Sequence, residues 1–209
     1  MQFKQGTKVV TSDGQNSGTV DRVVLDPRTK QVTDVVLRKG FILPEDKVVP
    51  IQHVVEANDQ HVVLKDSAER VRDLPPFEEK YYVPSNDEIG IDYTTGYARP
   101  LYGYPPIGPL WPNSAALAGK IETQQNIPPN TVAVKEGAKV TSQDGKHAGN
   151  VERVILDSPS NRITHIVVSH GLMRTRKLVP ASWIQEISED GVTLAVGQPV
   201  LDELAAYQD

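Results

Sequence analysis

The sequence contains no cysteine, which removes disulfides, thiolate nucleophiles, cysteine-ligated zinc and iron-sulfur centres together. It has no excess of basic residues: 22 Lys and Arg stand against 27 Asp and Glu, a formal charge of −5. The chain as a whole therefore offers no attraction for phosphate backbones or anionic membranes. No apolar run approaches the roughly 20 residues that cross a bilayer, and the opening stretch MQFKQGTKVV lacks the apolar core of a signal peptide. These absences predict a soluble, cytoplasmic protein without a transmembrane anchor. Catalytic patterns are missing too, since neither a GxSxG elbow nor a Gly-rich phosphate loop occurs.

What is present is a duplication. Residues 6–26, GTKVVTSDGQNSGTVDRVVLD, match residues 137–157, GAKVTSQDGKHAGNVERVILD, without a gap at an offset of about 131. Roughly 14 of the 35 pairs from Gly6 to Gly40 are identical. VTDVVLRKG then matches ITHIVVSHG, and after one deletion KVVPIQHVVE matches KLVPASWIQE and HVVLKD matches GVTLAV. Two copies of a unit of about 75 residues account for most of the chain; such a unit buries only about 60% of its unfolded-chain surface, so each copy alone is marginal.

Each copy reads as β-structure up to its last turn. Residues 8–11 form a β-branched run, Asp13-Gly14 is a hairpin turn, and residues 18–26 are the returning strand, broken by Pro27. Residues 31–38 are a third strand whose alternation sets Val35 and Leu37 on one face and Val32 and Val36 on the other. In the second copy Ile166 and Val168 oppose Ile163 and Val167 in the same way. With both faces apolar, one fills an interior and the other needs a cover. Short strands are expected at 47–50 and 60–65. A terminal helix follows, with Asp66 and Glu69 as its capping box and Ala68, Val71 and Leu74 on one face. In the second copy Pro199 starts the helix, and Val200, Leu201, Leu204 and Ala205 form its apolar side.

Between the copies, about ten of the 16 prolines and six of the seven tyrosines fall in residues 75–133. Proline removes backbone donors and fixes φ, so a third barrel or a regular helix is excluded there and local polyproline II is expected. Gly/Ser tethers lack aromatics, whereas Tyr97, Tyr102, Tyr104 and Trp111 can bury large area. Part of this connector therefore docks, on the exposed strand faces or on a partner.

The succession G-x-K-V, DG, G-x-V, V-x-LD, the VVL stretch and K-x-VP-x-x-x-V resembles the PRC-barrel domain, twice over. This family takes its name from the cytoplasmic domain of the H subunit of purple bacterial photosynthetic reaction centres. It also supplies the C-terminal domain of a ribosome small-subunit maturation factor. The resemblance implies a mostly β protein of two small antiparallel barrels, each with a short C-terminal helix. The boundaries are 1–76 and 134–209, with a Pro/Tyr-rich connector over 77–133. It also implies a binding and assembly module. The chain is expected to depart from both relatives, with neither an N-terminal transmembrane helix nor a domain ahead of the first barrel.

Candidate sites are few. Asp13-Gly14 and Asp144-Gly145 lack the alternating oxygen ligands of a calcium loop and read as turns; Asp26 and Asp157 read as caps of the turns that follow them. His165 and His170 lie five apart in one strand, on opposite faces; His147 sits in a hairpin turn and His53 after a strand. No metal, cofactor or catalytic residue is expected. Arg174, Arg176 and Lys177 form the sharpest basic cluster, where the matching loop of the first copy has Glu45 and Asp46 instead. Partner contact is assigned to Tyr97, Tyr102, Tyr104 and Trp111, with Arg174, Arg176 and Lys177 as the second surface. The function expected is a noncatalytic scaffold or accessory subunit, docking on a protein partner such as a photosynthetic or other membrane complex. An RNA or ribosome-maturation role is the alternative. His53 becomes Trp183 in the second copy, so the copies have diverged. Connector length permits barrels that face one another and barrels that stand apart.

Overall fold

The computed structural model describes residues 1–39, 45–83, 120–170 and 175–208. The first copy consists of β1 (Gln2–Lys4), β2 (Lys8–Val10), β3 (Asn16–Asp26), β4 (Gln31–Lys39) and β5 (Glu45–Pro50), a 3-10 turn at Ile51–His53, β6 (Val54–Ala57), β7 (His61–Leu64) and the short helix α1 (Ala68–Arg72). Strands β8 (Glu78–Val83) and β9 (Lys120–Gln125) follow. The second copy repeats the order as β10 (Val132–Lys135), β11 (Lys139–Thr141), β12 (His147–Asp157), β13 (Arg162–His170) and β14 (Thr175–Pro180), a 3-10 turn at Ala181–Trp183, β15 (Ile184–Ile187), β16 (Gly191–Leu194) and α2 (Gln198–Asp202).

Within the first copy the strands lie in the order β6-β7-β2-β3-β4-β5, matched by β15-β16-β11-β12-β13-β14 in the second. Two features depart from the expectation of closed antiparallel barrels. β2 pairs in parallel with β7, Val9 opposite Val62, and β11 with β16, Val140 opposite Val192. The strand order does not close either: β5 and β6 are consecutive, separated by the 3-10 turn, and are not ladder neighbours.

The face assignment of the third strand is also corrected. Val32, Val35 and Leu37 share one buried core, while Val36 belongs to a second cluster with Val24, Val48, Phe77 and Ala133. Strict alternation cannot put residues 32 and 35 together. A register shift in the β3–β4 ladder, from Val24 opposite Asp34 to Leu25 opposite Val32, leaves Thr33 unpaired and turns Val32 inward. The second copy shifts at the equivalent place, with Ile155 opposite His165 and Leu156 opposite Ile163, so Ile163 joins Ile166 and Val168.

The helices follow the sequence in part. Pro199 stands in the first turn of α2, where its missing N–H is no loss. Leu201 is buried, but Val200 is 43% exposed and Ala205 is exposed. In α1 the N-cap is Ser67, which accepts from the Arg70 N–H at 3.4 Å. Asp66 instead turns its carboxylate to His53 and Arg70.

The two copies form one compact unit, Met1–Phe77 with Asn126–Asp209, and they exchange their first strands. β1 leaves its own copy to pair with β12, Phe3 opposite Val154; reciprocally β10 pairs with β3, Val134 opposite Val23. These registers are equivalent under the sequence offset, which makes the exchange pseudo-twofold. The axis runs past Gln31 and Arg162, equivalent residues that pair with each other across the β4–β13 junction. On either side the Val32 N–H donates to the Asn161 carbonyl and the Ile163 N–H to the Lys30 carbonyl, both at 2.9 Å. Lys30 and Asn161 hold left-handed φ of 57° and 54°. Among the described residues a 14-stranded sheet and the larger hydrophobic cluster therefore run through both copies.

The second compact unit, Glu78–Gln125, contains the β8–β9 ribbon, with Tyr81 opposite Glu122 and Tyr82 opposite Ile121. Tyr97, Tyr102, Tyr104 and Trp111 lie outside the described residues.

Candidate functional site

Three sets of side chains carry chemistry, and the first is spent on the seam between the copies. Asp21, 2% exposed, accepts from Gln5 Nε2 at 2.8 Å and pairs with Arg22 at 3.1 Å and Arg38 at 3.0 Å; Arg38 also holds Asp46 at 2.8 Å. The hydrogen bonds that Arg38 donates to Asp46, then the two carboxylate charges, raise the pKa of its guanidinium above the ordinary value against the cost of burial. In the second copy Ser169 replaces Arg38 and Arg176 replaces Asp46, so the arginine arrives from the other strand. Arg176 reaches Glu152 at 2.9 Å, and Lys4 of the exchanged strand lies 3.5 Å from the same carboxylate. Arg153, 2% exposed, pairs with Asp59 of the first copy at 2.7 Å. Lys30 Nζ donates to the carbonyls of Ala181 and Ile184 at 2.7 and 2.8 Å. Desolvation, then the charge of Arg162, lowers its pKa.

These contacts include two residues of the basic cluster. Arg176 holds a buried glutamate, and Lys177 Nζ donates to the carbonyls of Leu201 and Asp202 at 2.6 and 3.0 Å, tying down the end of α2. Both side chains have partners within the chain; Arg174 lies outside the described residues.

The second set is at the turns. Asp26 accepts from the Arg28 N–H at 2.8 Å and Asp157 from Ser160 Oγ at 2.6 Å, as turn caps do. Asp13 and Asp144 do more than turn the chain. Asp13 accepts from the Ala68 N–H at 3.3 Å and Asp144 from the Gln198 N–H at 3.2 Å, so each hairpin turn holds the start of its copy's helix. The hydroxyl of Ser142, 2.6 Å from Asp144, is the main cause that lowers this carboxyl to about 2 from 3.8. A carboxyl depressed by folding stabilises fully above its unfolded pKa and loses that contribution as pH falls through the folded one. Urea midpoints of the protein should therefore drop between pH 4 and 2, and Asp144→Asn should flatten that limb; equal slopes in the two proteins would remove Asp144 as a cause.

His53 explains the divergence noted in the sequence. Its imidazole pairs with the Asp66 carboxylate, and the two are 17% and 7% exposed. Their second-copy equivalents are Trp183 and Val196, both packed against the core, while the backbone is unchanged. Ser12 N–H donates to Asp66 O and Gln143 N–H to Val196 O, each at 2.9 Å. A polar pair has been exchanged for an apolar one. Asp66→Val alone should cost about 1–3 kcal/mol by stranding the imidazole, and adding His53→Trp should recover most of it; a double-mutant cycle in urea measures the coupling.

The third set lines a cavity under the terminal helix of each copy. In the second copy Ala148, Val168, Val179, Leu194 and Leu201 form apolar walls of about 240 Å³, with His170, Lys177 and Asp202 among the polar residues. In the first the cavity is about 130 Å³ and is lined by Ser17, Leu37, Lys39, Lys47, Val71 and Arg72. The six residues named for the first cavity are equivalent, position by position, to six of those around the second, and neither set is visible from sequence, because the lining comes from β3, β4, β5 and α1 together. The signal that could have found them is the change of charge between the copies, Lys39 to His170 and Arg72 to Asp202. His147 and His170, far apart in sequence, approach to 6.3 Å between ring centroids. Among the described residues no group of three or more His, Asp or Glu is placed to hold a metal ion, and no helix is long and apolar enough to cross a membrane.

The model of the PRC-barrel domain family matches the chain twice, over residues 5–71 and 136–198, together more than half of the sequence. No curated protein matches it.

Proposed function

We propose, from the premise that the chain belongs to the PRC-barrel domain family in both of its copies, that it is a noncatalytic assembly module that docks on a protein partner. Domains of this family are generally protein-interaction modules, and the double match carries the reading. Strand exchange supports it by making two such domains one body, so that any surfaces they offer are held at a fixed spacing. The β8–β9 ribbon supports it as well: Tyr81 is 45% and Ile121 65% exposed, and among the described residues the ribbon has two strands, an arrangement to whose edges a partner strand can add. The specific form we favour is an accessory subunit that sits peripherally on a larger complex, such as a photosynthetic or other membrane complex, with Tyr97, Tyr102, Tyr104 and Trp111 in contact.

The RNA reading is weaker, because Arg176 and Lys177 are held by Glu152 and by helix carbonyls. Charge reversal at Arg176 would break a buried pair and so could not test it. Affinity capture of the tagged full chain from its own cells, with nuclease-treated and detergent-solubilised fractions in parallel, provides the test. A nuclease-resistant protein complex cross-linked through the ribbon or the connector is the expected result. Ribosomal material lost on nuclease treatment would overturn the reading in favour of RNA.

A further inference from the structure

We propose that Glu136 is a proton-binding site at the strand-exchange seam: as the acid it donates a hydrogen bond to Glu152, and losing that proton as pH rises sets two carboxylates against each other and loosens the seam. The first copy shows the bond this position makes. Gln5, the equivalent of Glu136, donates from Nε2 to Asp21, the equivalent of Glu152, at 2.8 Å. An ionised carboxylate has no hydrogen to give, so Glu136 makes the same bond only when protonated. Both ends of such a bond are open, because Glu136 Oε2 and Glu152 Oε1 are buried atoms and neither accepts a hydrogen bond. The four residues Gln5, Asp21, Glu136 and Glu152 line one narrow cavity at the seam. Two carboxylates in one site do not both ionise freely, and the proton shared between them relieves the repulsion.

The charged groups around Glu136 come from four strands. Arg176 of β14 donates to Glu152 Oε2 at 3.1 Å and stands 2.9 Å from Oε1, and Lys4 of β1 lies 3.5 Å from Oε1. Arg153 of β12 pairs with Asp59, and in β3 Arg22 pairs with Asp21. Lys135, beside Glu136 in sequence, lines the same narrow cavity, and His147 shares with Glu136 an outer cleft of about 300 Å³. Burial is the largest influence on the Glu136 carboxyl and pushes it above its ordinary 4.5; the charge of Glu152 acts the same way, against the Gln5 N–H and the charges of Lys4 and Arg153. The folded chain then holds this proton more tightly than the unfolded chain. Stability from this group is therefore full below the ordinary value and is lost as pH rises through the folded one, by at most one proton, about tenfold in the unfolding constant per pH unit.

The test is a pH series on the full chain with isotope-labelled glutamate side chains, following the Glu136 carboxyl by NMR and the urea midpoint at each pH. Glu136→Gln identifies the resonance by its absence and installs the residue that the first copy carries. The Glu136 carboxyl should titrate above 4.5. Glu136→Gln should raise the urea midpoint and slow hydrogen exchange in β1 at about pH 7, and leave both nearly unchanged at about pH 4, where parent and variant each carry a neutral donor. Comparing variant with parent cancels the titration of groups common to both, His147 among them. If Glu136→Gln does not fold, Gln5→Glu sets a second carboxyl opposite Asp21 and should add a further loss of stability with rising pH. A Glu136 carboxyl titrating at or below its ordinary value, a Glu136→Gln midpoint displaced equally at every pH, or a Gln5→Glu chain with the parent's pH slope would each overturn the proposal.

Discussion

Phe3→Ala is expected to cost about 3–5 kcal/mol, the range for truncating a buried aromatic, and to loosen the half of the molecule to which Phe3 does not belong in sequence. The ring is 2% exposed within the shared core, and its strand is hydrogen-bonded to β12 opposite Val154. Removing it empties volume beside Val154 and Val151 and weakens the hold of β1, whose Lys4 lies beside Glu152. Because one core and one sheet serve both copies, the variant and the parent should each melt in a single cooperative transition, with a lower midpoint in the variant. The first protection from hydrogen exchange to be lost should be in β12, alongside β1. A cost below about 1 kcal/mol, or two separate transitions in the parent, would mean that the exchanged strand contributes little. Val134, which makes the reciprocal insertion opposite Val23, should show a smaller effect in the same direction when cut to alanine, in keeping with its smaller side chain.

Gly18→Ala should be almost as damaging, for a reason that lies in the backbone. Gly18 has φ of +107°, and a Cβ there would stand 2.2 Å from the Arg38 carbonyl oxygen and 2.9 Å from its carbon. Those atoms belong to the paired strand β4 and cannot rotate aside. Gly149 repeats the arrangement with φ of +135° and the Ser169 oxygen at 2.4 Å. Left-handed strain of about 1–2 kcal/mol adds to an overpacking cost of about 1–3 kcal/mol, so a loss of about 2–5 kcal/mol is expected in urea denaturation. Gly14 is the control, since its φ is +75° but nothing lies within 4 Å of a Cβ; there only the conformational cost should appear. Equal losses at Gly14 and Gly18 would rule out the steric account.

Both effects depend on facts at different distances from the sequence. The hairpin at Asp13-Gly14, the stop at Pro27, the turn caps at Asp26 and Asp157 and the start of α2 at Pro199 are local, set by φ preferences and by hydrogen bonds a few residues long. They were legible for that reason. Periodicity puts Val32 on the face opposite its true one because it assumes an unbroken ladder, and the unpaired Thr33 is a property of two strands together. The spacing of Asp66 to Glu69 fits a capping box and points to Asp66 as the helix cap. Its carboxylate is drawn instead to His53, 13 residues back, leaving Ser67 to cap.

The candidate sites show the same division. Arg176 and Lys177 look available as a run of charge, yet Glu152 and the carbonyls of α2 take them up, because burying a carboxylate or a helix end without a partner is costly. The cavities under α1 and α2 were invisible, since each gathers residues from separate elements whose only trace in the chain is a change of charge between equivalent positions. By itself the sequence determined that the protein is a duplicated, mostly β, PRC-barrel chain without cysteine chemistry, because repeats, strand patterning and composition survive in one dimension. Only the tertiary structure decided that the copies are not separate barrels. Strand exchange is a choice of partner between two nearly identical ladders, and that choice rests on packing Phe3 and Val134 into the opposite copy.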